Sequence, residues 1–352
     1  MLDTETMLMK RAIDLARQGA GLVSPNPMVG AVLINDGRIV GEGYHRYDRL
    51  KHAESHAIEK AGTHTRGSTL YCNLEPCCHH GRTPPCTDAL IKAKIARAVI
   101  AIKDPDPRVN GRGIEQLREA GIEVEVGLLE DRALRINESY FKLISSGTPF
   151  VHGVIEYPAD SSALRLDWQP SDEFLKFASE YDAVMIGNRP ELNRPVVDAA
   201  LRRERHRPLV IAASNSEPWL LEALQKRVKG EISVVMVDVQ DAGNPTGNVV
   251  RMDEGMGAHG VARSQFSSLL ATLSRMQVTS LLSLPGLLDS SDPANFEELD
   301  KITLAIPSST HEHGFATQWA LGDIEFDIED VSVSEAGGFT ELTGYPSLRG
   351  VA

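Results

Sequence analysis

Apolar residues recur at helical spacing between Thr4 and Gln18, at Met7, Leu8, Ala12 and Leu15, and Gly19 supplies a stop. The next two apolar runs, VGAVLIND and GRIVGEGYH, read as strands joined by a turn at Asn35-Asp36-Gly37. Asn and Asp-Gly pairs tolerate the positive φ that tight hairpins need. HAESHAIEKAG predicts a helix ending at Gly62, and STLYCNLEP a strand that runs into a loop. CTDALIKAKI predicts a helix, RAVIAI a strand, and GIEQLREAGIEVEVG a helix followed by a strand. RALRINESYFKLISSG predicts one closing helix capped by Gly147. Strands that alternate with helices imply a sheet covered on both faces.

The pattern breaks near Ser145 to Pro149 and then resumes. FVHGVIEY is strand-like, and DEFLKFASEYDAVMIGN reads as helix then strand. PLVIAAS and ISVVMVDV add strands, and FSSLLATLSRM followed by VTSLLSLPG adds another helix and strand. GVIEYPADSSALRLDWQ and QDAGNPTGNVVRMDEGMGAHG are rich in turn residues and read as loops. The expected organisation is two α/β domains, 1–146 and 147–352, and a chain of 352 residues is long enough for both.

Charge separates the two halves. Residues 1–146 carry 20 Lys and Arg against 19 Asp and Glu, whereas residues 147–352 carry 16 against 30. A second half this acidic argues against general nucleic-acid binding, which depends on clustered cations that displace phosphate counterions. The N-terminal MLDTETMLMK places acids before any apolar run and does not read as a signal peptide. No apolar segment reaches the ~18 residues needed to span a bilayer. A cytoplasmic protein without membrane partners is expected.

All four cysteines, Cys72, Cys77, Cys78 and Cys86, fall within 15 residues. A core of this size needs no disulfides, and clustered cysteines in a cytosolic chain point to metal or catalysis. His52 opens a predicted helix 25 residues before Cys77, and Cys86 opens the next one. One imidazole and two thiolates suit Zn²⁺ and leave a fourth coordination position for water. Helix N-termini favour the thiolate form. Glu54 lies two residues after His52, so it is placed beside such a water rather than on the ion, as a proton carrier. H-x-E followed by P-C and a further cysteine is the pattern of zinc deaminases. Two other readings stay open on these residues. A fourth ligand from Cys72, Cys78, His79 or His80 would make a closed structural zinc site, as in a non-catalytic interaction protein. A nucleic-acid-editing deaminase would instead need a basic channel and stacking aromatics.

The loop between Cys77 and Cys86 is long, CHHGRTPP, and further motifs surround it: SPNPMVGA (Ser24 to Ala31), GEGYH (Gly41 to His45), HAE (His52 to Glu54), LEPCCHHGRTPPC (Leu74 to Cys86) and DPDPRVNGRG (Asp104 to Gly113). On these motifs residues 5–145 resemble the deaminase domain of the bifunctional riboflavin-biosynthesis deaminase/reductase. The resemblance implies a cytidine-deaminase-like three-layer α/β/α domain with His52, Cys77 and Cys86 on zinc and Glu54 as the catalytic residue. It implies hydrolytic removal of the 2-amino group of 2,5-diamino-6-(5-phosphoribosylamino)pyrimidin-4-one. Asn26, His45, His79 and Arg82 match its substrate contacts, with Arg82 suited to a phosphate by charge and fork geometry. Two positions depart from the family pattern. Cys78 stands where serine is usual, and Asp106 replaces the asparagine of DPNP, which is expected to add a charge near the site.

The resemblance also implies a dihydrofolate-reductase-like α/β fold for 147–352, which in the family is an NADPH-dependent reductase. The family's marks are missing here. FVHGVIEYPADSS holds no lysine, PADS stands for SLDG, and Trp168 lies in LRLDWQP outside any G-x-S-x-WI frame. The glycine turn reads Gly187-Asn188-Arg189-Pro190, and the late turn Leu284-Pro285-Gly286 lacks the family's glutamate. Pro190 has no N–H to offer a phosphate. The expectation is a reductase-like domain that has lost reductase chemistry and NADPH, and serves stability, dimerisation or substrate delivery within a homodimer.

Overall fold

The computed structural model describes all residues except 1–2, 47–50, 82, 157–167, 187–194, 200–208, 214–233, 238–262, 286–295, 309–318, 322–323, 337 and 349–352. The chain divides into two compact units, Met1–Gly147 and Thr148–Ala352.

In the first unit, helix α1 (Thr4–Ala16) starts where the Asp3 carboxylate accepts the Thr6 N–H at 2.7 Å. It is followed by β1 (Gly30–Asn35), β2 (Arg38–Tyr44), α2 (Ala53–Ala61), β3 (Thr69–Leu74), α3 (Cys86–Ala93), β4 (Arg97–Ile102), α4 (Arg112–Glu119), β5 (Glu123–Val126), α5 (Glu130–Ile136) and α6 (Glu138–Ser146). The sheet order is β2-β1-β3-β4-β5. β1 runs antiparallel to both neighbours, and β3, β4 and β5 run parallel. The β1–β2 turn forms at the expected place, with Asp36 and Gly37 both at positive φ (48° and 71°). α1 and α5 cover one face through Met9, Ala12, Ile13, Ala133 and Ile136. α2, α3 and α4 cover the other through Ala57, Leu90 and Leu117. This is a three-layer α/β/α sandwich.

The closing segment differs from the single helix that its periodicity predicts. Asn137 leaves helical geometry (φ −116°, ψ 15°) and separates α5 from α6. Its side chain is used elsewhere, as described below.

Two glycines set how closely α2 lies on the sheet. A Cβ on Gly41 would stand 2.1 Å from Ala57 O, and one on Gly43 would stand 2.3 Å from Ala53 O. Only glycine permits that approach, so the G-x-G of β2 fixes the position of the helix that carries His52 and Glu54.

The second unit is also α/β. It holds β6 (Phe150–Glu156), α7 (Asp172–Ala178), β7 (Ala183–Ile186), β8 (Leu209–Ala213), β9 (Val234–Val237), α8 (Arg263–Arg275), β10 (Ser280–Ser283), β11 (Lys301–Pro307), β12 (Trp319–Leu321), β13 (Ile324–Ala336) and β14 (Phe339–Leu348). Among the described residues nine strands lie in the order β12-β13-β14-β11-β6-β10-β7-β8-β9. From β11 to β9 the strands are parallel, and β12, β13 and β14 extend the sheet antiparallel. α8 packs Phe266, Leu269 and Leu273 on one face with Val151, Met185 and Ile302. α7 packs Phe174 and Ala178 on the other with Trp168, Val154, Ile186 and Leu284.

Candidate active site

His52 is the N-cap of α2, in extended geometry, and Glu54 sits in the helix's first turn. Cys86 is the first residue of α3, and its backbone N–H points at Cys77 Sγ, 3.4 Å away. These two helix starts and the end of β3 bring three donors together. His52 Nδ1 lies 3.5 Å from Cys77 Sγ and 3.2 Å from Cys86 Sγ. All three donor atoms lie within 4.8 Å of one another.

That spacing fits a tetrahedral zinc ion. With Zn–N of about 2.0–2.1 Å and Zn–S of about 2.3 Å, the imidazole nitrogen and a sulfur stand about 3.6 Å apart. Among the described residues, this is the only group of three or more His, Cys, Asp or Glu donors that converge in this way. Cys72 is buried in the apolar layer under α2, and Cys78 turns its thiol to Arg108 O at 3.6 Å. Neither His79 nor His80 joins the set.

The three donors are coupled electrostatically. The Cys86 thiol hydrogen-bonds Cys77 and holds Cys77 well below the usual thiol range, with His52 adding to the effect. The shared proton stays on Cys86, whose thiol is pushed up by the same bond and by burial. His52 is raised, first by its bond to Cys77. Glu54 is 3 % exposed, and its Oε2 has no hydrogen-bond partner. Burial pushes its carboxyl above the usual range, and the charge of His52 pulls it back. A buried carboxylate oxygen without a partner is costly unless something else occupies its lone pairs.

His45 lies with its ring centroid 5.3 Å from that of His52, and its backbone N–H donates to Val29 O at 2.8 Å. Burial, with the charge of His52, lowers its pKa to about 4, so the ring is neutral at pH 7. Its Nε2 has no partner, and neither has Nδ1 of His79. Asn26 is exposed on the SPNP loop and closes a turn through its N–H to Val23 O. Arg82 lies outside the described residues. Asp106 is buried, and its charge meets the Arg108 guanidinium, whose Nη2 donates at 2.6 Å to Oδ2 and Nε at 3.0 Å to Oδ1.

Three residues that hold the site together carry no separate signal in the motifs. Glu75 Oε2 accepts the N–H groups of Asp104 and Gly111, and Oε1 those of Gly113 and Ile114. One carboxylate thus ties LEPC to the start of α4, where the helix dipole favours negative charge. Asn137 accepts the Met28 N–H (2.8 Å) and donates to Met28 O (2.9 Å). Asn73 accepts the Gly30 N–H and also donates to Met28 O. The pair fixes the loop that carries Asn26.

Residues 2–102 match the family described as the cytidine and deoxycytidylate deaminase zinc-binding region. The chain is 33% identical over 313 residues to the riboflavin biosynthesis protein RibD of Actinobacillus pleuropneumoniae, covering 84% of this chain and 80% of that one. It belongs to the RibD family of riboflavin biosynthesis proteins. Identity to RibD of Aquifex aeolicus is 50% over 187 residues, 51% of this chain; the chain spans about half (52%) of that relative's length. Across nearly the whole chain the fold is that of a solved Thermotoga maritima protein described as a diaminohydroxyphosphoribosylaminopyrimidine deaminase/5-amino-6-(5-phosphoribosylamino)uracil reductase. That match has a TM-score of 0.72 at 27% identity and covers 97% of this chain and 99% of the other. The RibD fold therefore includes the second unit, although the reductase motifs are missing from its sequence. Among the described residues no helix is long and apolar enough to cross a membrane.

Proposed function

We propose that the first unit hydrolyses the 2-amino group of 2,5-diamino-6-(5-phosphoribosylamino)pyrimidin-4-one, giving 5-amino-6-(5-phosphoribosylamino)uracil and ammonia. The observation that carries this reading is the buried Oε2 of Glu54, which has no hydrogen-bond partner, in the first turn of α2 beside the His52, Cys77 and Cys86 donors. Those three residues would hold a zinc ion, which supplies Lewis acidity that eases deprotonation of water at neutral pH.

Glu54 accepts the proton of the attacking water. It passes that proton to the ring nitrogen next to C2, then takes the second proton from the hydroxyl formed at C2 and gives it to the departing amino group, which leaves as ammonia. Burial, which raises its proton affinity, suits a group that must both take and give a proton. His45, neutral and buried with Nε2 free, and His79, with Nδ1 free, offer hydrogen bonds to substrate. Asn26 would contact the base and Arg82 the phosphate.

For the second unit we propose a RibD-like domain that does not use NADPH. The late turn places Leu284 in the apolar cluster of α7 and Trp168, where the family's reductase carries glutamate. Among the described residues of β6, Val151, Val154 and Ile155 are buried, and His152 is bonded to Tyr181 Oη (2.7 Å) and Thr303 Oγ1 (2.9 Å). The Gly187 to Pro190 turn and the arginines at 189, 194, 202, 203 and 205 lie outside the described residues. The second reading, a fully bifunctional deaminase/reductase, is favoured by the match to the Thermotoga structure along both units. One assay separates the two: ammonia release from the diaminopyrimidine phosphoriboside, with and without NADPH, while product mass is followed. Deamination alone is expected. A product two hydrogens heavier, formed with NADPH consumption, would establish the second reading.

A further inference from the structure

His52 has two ring nitrogens, and the geometry gives them different work. Nδ1 faces both sulfurs, at 3.5 and 3.2 Å, so Nδ1 is the nitrogen available to a metal. Nε2, on the far side of the ring, lies 3.3 Å from Oγ1 of Thr83. Thr83 belongs to the TPP stretch that leads directly into Cys86, and its carbonyl accepts the Gly81 N–H at 3.3 Å.

We propose that Thr83 is the positioning residue of the zinc site, acting through His52. This inference rests on the zinc-site reading given above. A histidine that gives Nδ1 to a metal must carry its proton on Nε2, and that N–H needs an acceptor. The hydroxyl of Thr83 is the partner found there. It holds the ring plane so that Nδ1 stays aimed between the two sulfurs.

A hydroxyl both donates and accepts, so Thr83 serves either tautomer before metal binds. Once Nδ1 is committed to a cation, the imidazole loses electron density and Nε2–H becomes a stronger donor. The Thr83 bond then strengthens on loading, and that gain appears as metal affinity. Position 83 is thereby tied to the ligands on both sides: along the chain to Cys86, three residues on, and through space to His52. The long form of the loop brings its own acceptor to the histidine.

The test compares Thr83→Val, which keeps the shape and removes the hydroxyl, with Thr83→Ser, which keeps the hydroxyl. Zinc affinity of the full chain is measured by competition with a chromophoric chelator. Loss of an outer-shell partner typically weakens metal binding ~10–100-fold, and this loss is expected for T83V, with T83S within a few-fold of wild type. Metal-free T83V is expected to melt where metal-free wild type does, which separates a positioning role from a purely structural one. Equal zinc affinity for T83V and wild type would overturn the proposal, and so would a T83S loss as large as that of T83V.

Should T83V fail to fold, nitrogen-15 spectra of zinc-loaded wild type decide instead. His52 is expected to show Nδ1 on metal and a protonated, exchange-protected Nε2. Metal on Nε2, or an Nε2 proton that exchanges freely with water, would overturn the assignment. These readouts use no substrate, so a failure of the proposed deamination leaves them informative.

Discussion

The side-chain amide of Asn137 forms a two-point clamp on the backbone of Met28, accepting its N–H at 2.8 Å and donating to its carbonyl at 2.9 Å. The two residues are 109 positions apart. The clamp explains why one helix becomes two: Asn137 gives up helical geometry to aim its amide at the SPNP loop. Asn137→Ala removes the acceptor of the Met28 N–H, whereas the Met28 carbonyl keeps Asn73. Leaving one part-buried donor unsatisfied costs about 1 kcal/mol, the lower end of the range for buried groups, and urea unfolding of N137A is expected to show a loss of at least that size. An unchanged midpoint would mean that the loop is held by other contacts.

Gly43 tests the packing that sets the position of α2. In Gly43→Ala the new Cβ would meet Ala53 O at 2.3 Å, in backbone that has no side chain to rotate away. Overpacking of this kind typically costs about 1–3 kcal/mol. Because Ala53 lies between His52 and Glu54, the same change is expected to weaken zinc binding. Chelator competition together with a melting curve checks both effects; G43A with wild-type values in each would show that α2 can shift without disturbing the site.

Asp104 gives a pH dependence. Its carboxylate accepts the Asp106 N–H and the Tyr140 hydroxyl, but burial outweighs both and raises its pKa to about 6. The folded state therefore binds a proton more tightly than the unfolded one, so this group lowers stability as pH rises from about 4 through 6. Asp104→Asn keeps the accepting oxygen and removes the charge. The stability of D104N relative to wild type is expected to grow by about 2 kcal/mol between pH 4.5 and 7.5. A difference that is flat with pH would show that Asp104 is not the titrating group.

Much of the first unit was legible in the chain because short-range chemistry decided it. The Asn35-Asp36-Gly37 turn needs positive φ and has the residues for it. The convergence of His52, Cys77 and Cys86 was legible because His52 and Cys86 each open a helix, and a helix start has a fixed direction. The Asn137 break was not, since Leu134, Phe141 and the residues around them keep helical periodicity while the competing interaction lies 109 residues away. Glu75 was hidden for the same reason: its four N–H donors lie 29 to 39 residues downstream. The β13–β14 hairpin did carry a local signal, the alternation in IEFDIEDVSVSEA ahead of a Gly-Gly turn. Its acidic outward positions resemble a solvated loop more than a strand. The charge that Asp106 adds is met by Arg108, a pairing between neighbours that composition alone does not show.

The central claim is that Glu54 moves protons for a metal held by His52, Cys77 and Cys86. Glu54→Gln preserves shape and removes the base. The most direct measurement is ammonia release from the diaminopyrimidine phosphoriboside by wild type and E54Q, with zinc content determined on the same samples. Equal zinc in both proteins, with the rate in E54Q lower by at least ~10²–10⁴-fold, is the expected result. Wild-type ammonia release by zinc-replete E54Q, or none by zinc-replete wild type, would contradict the account.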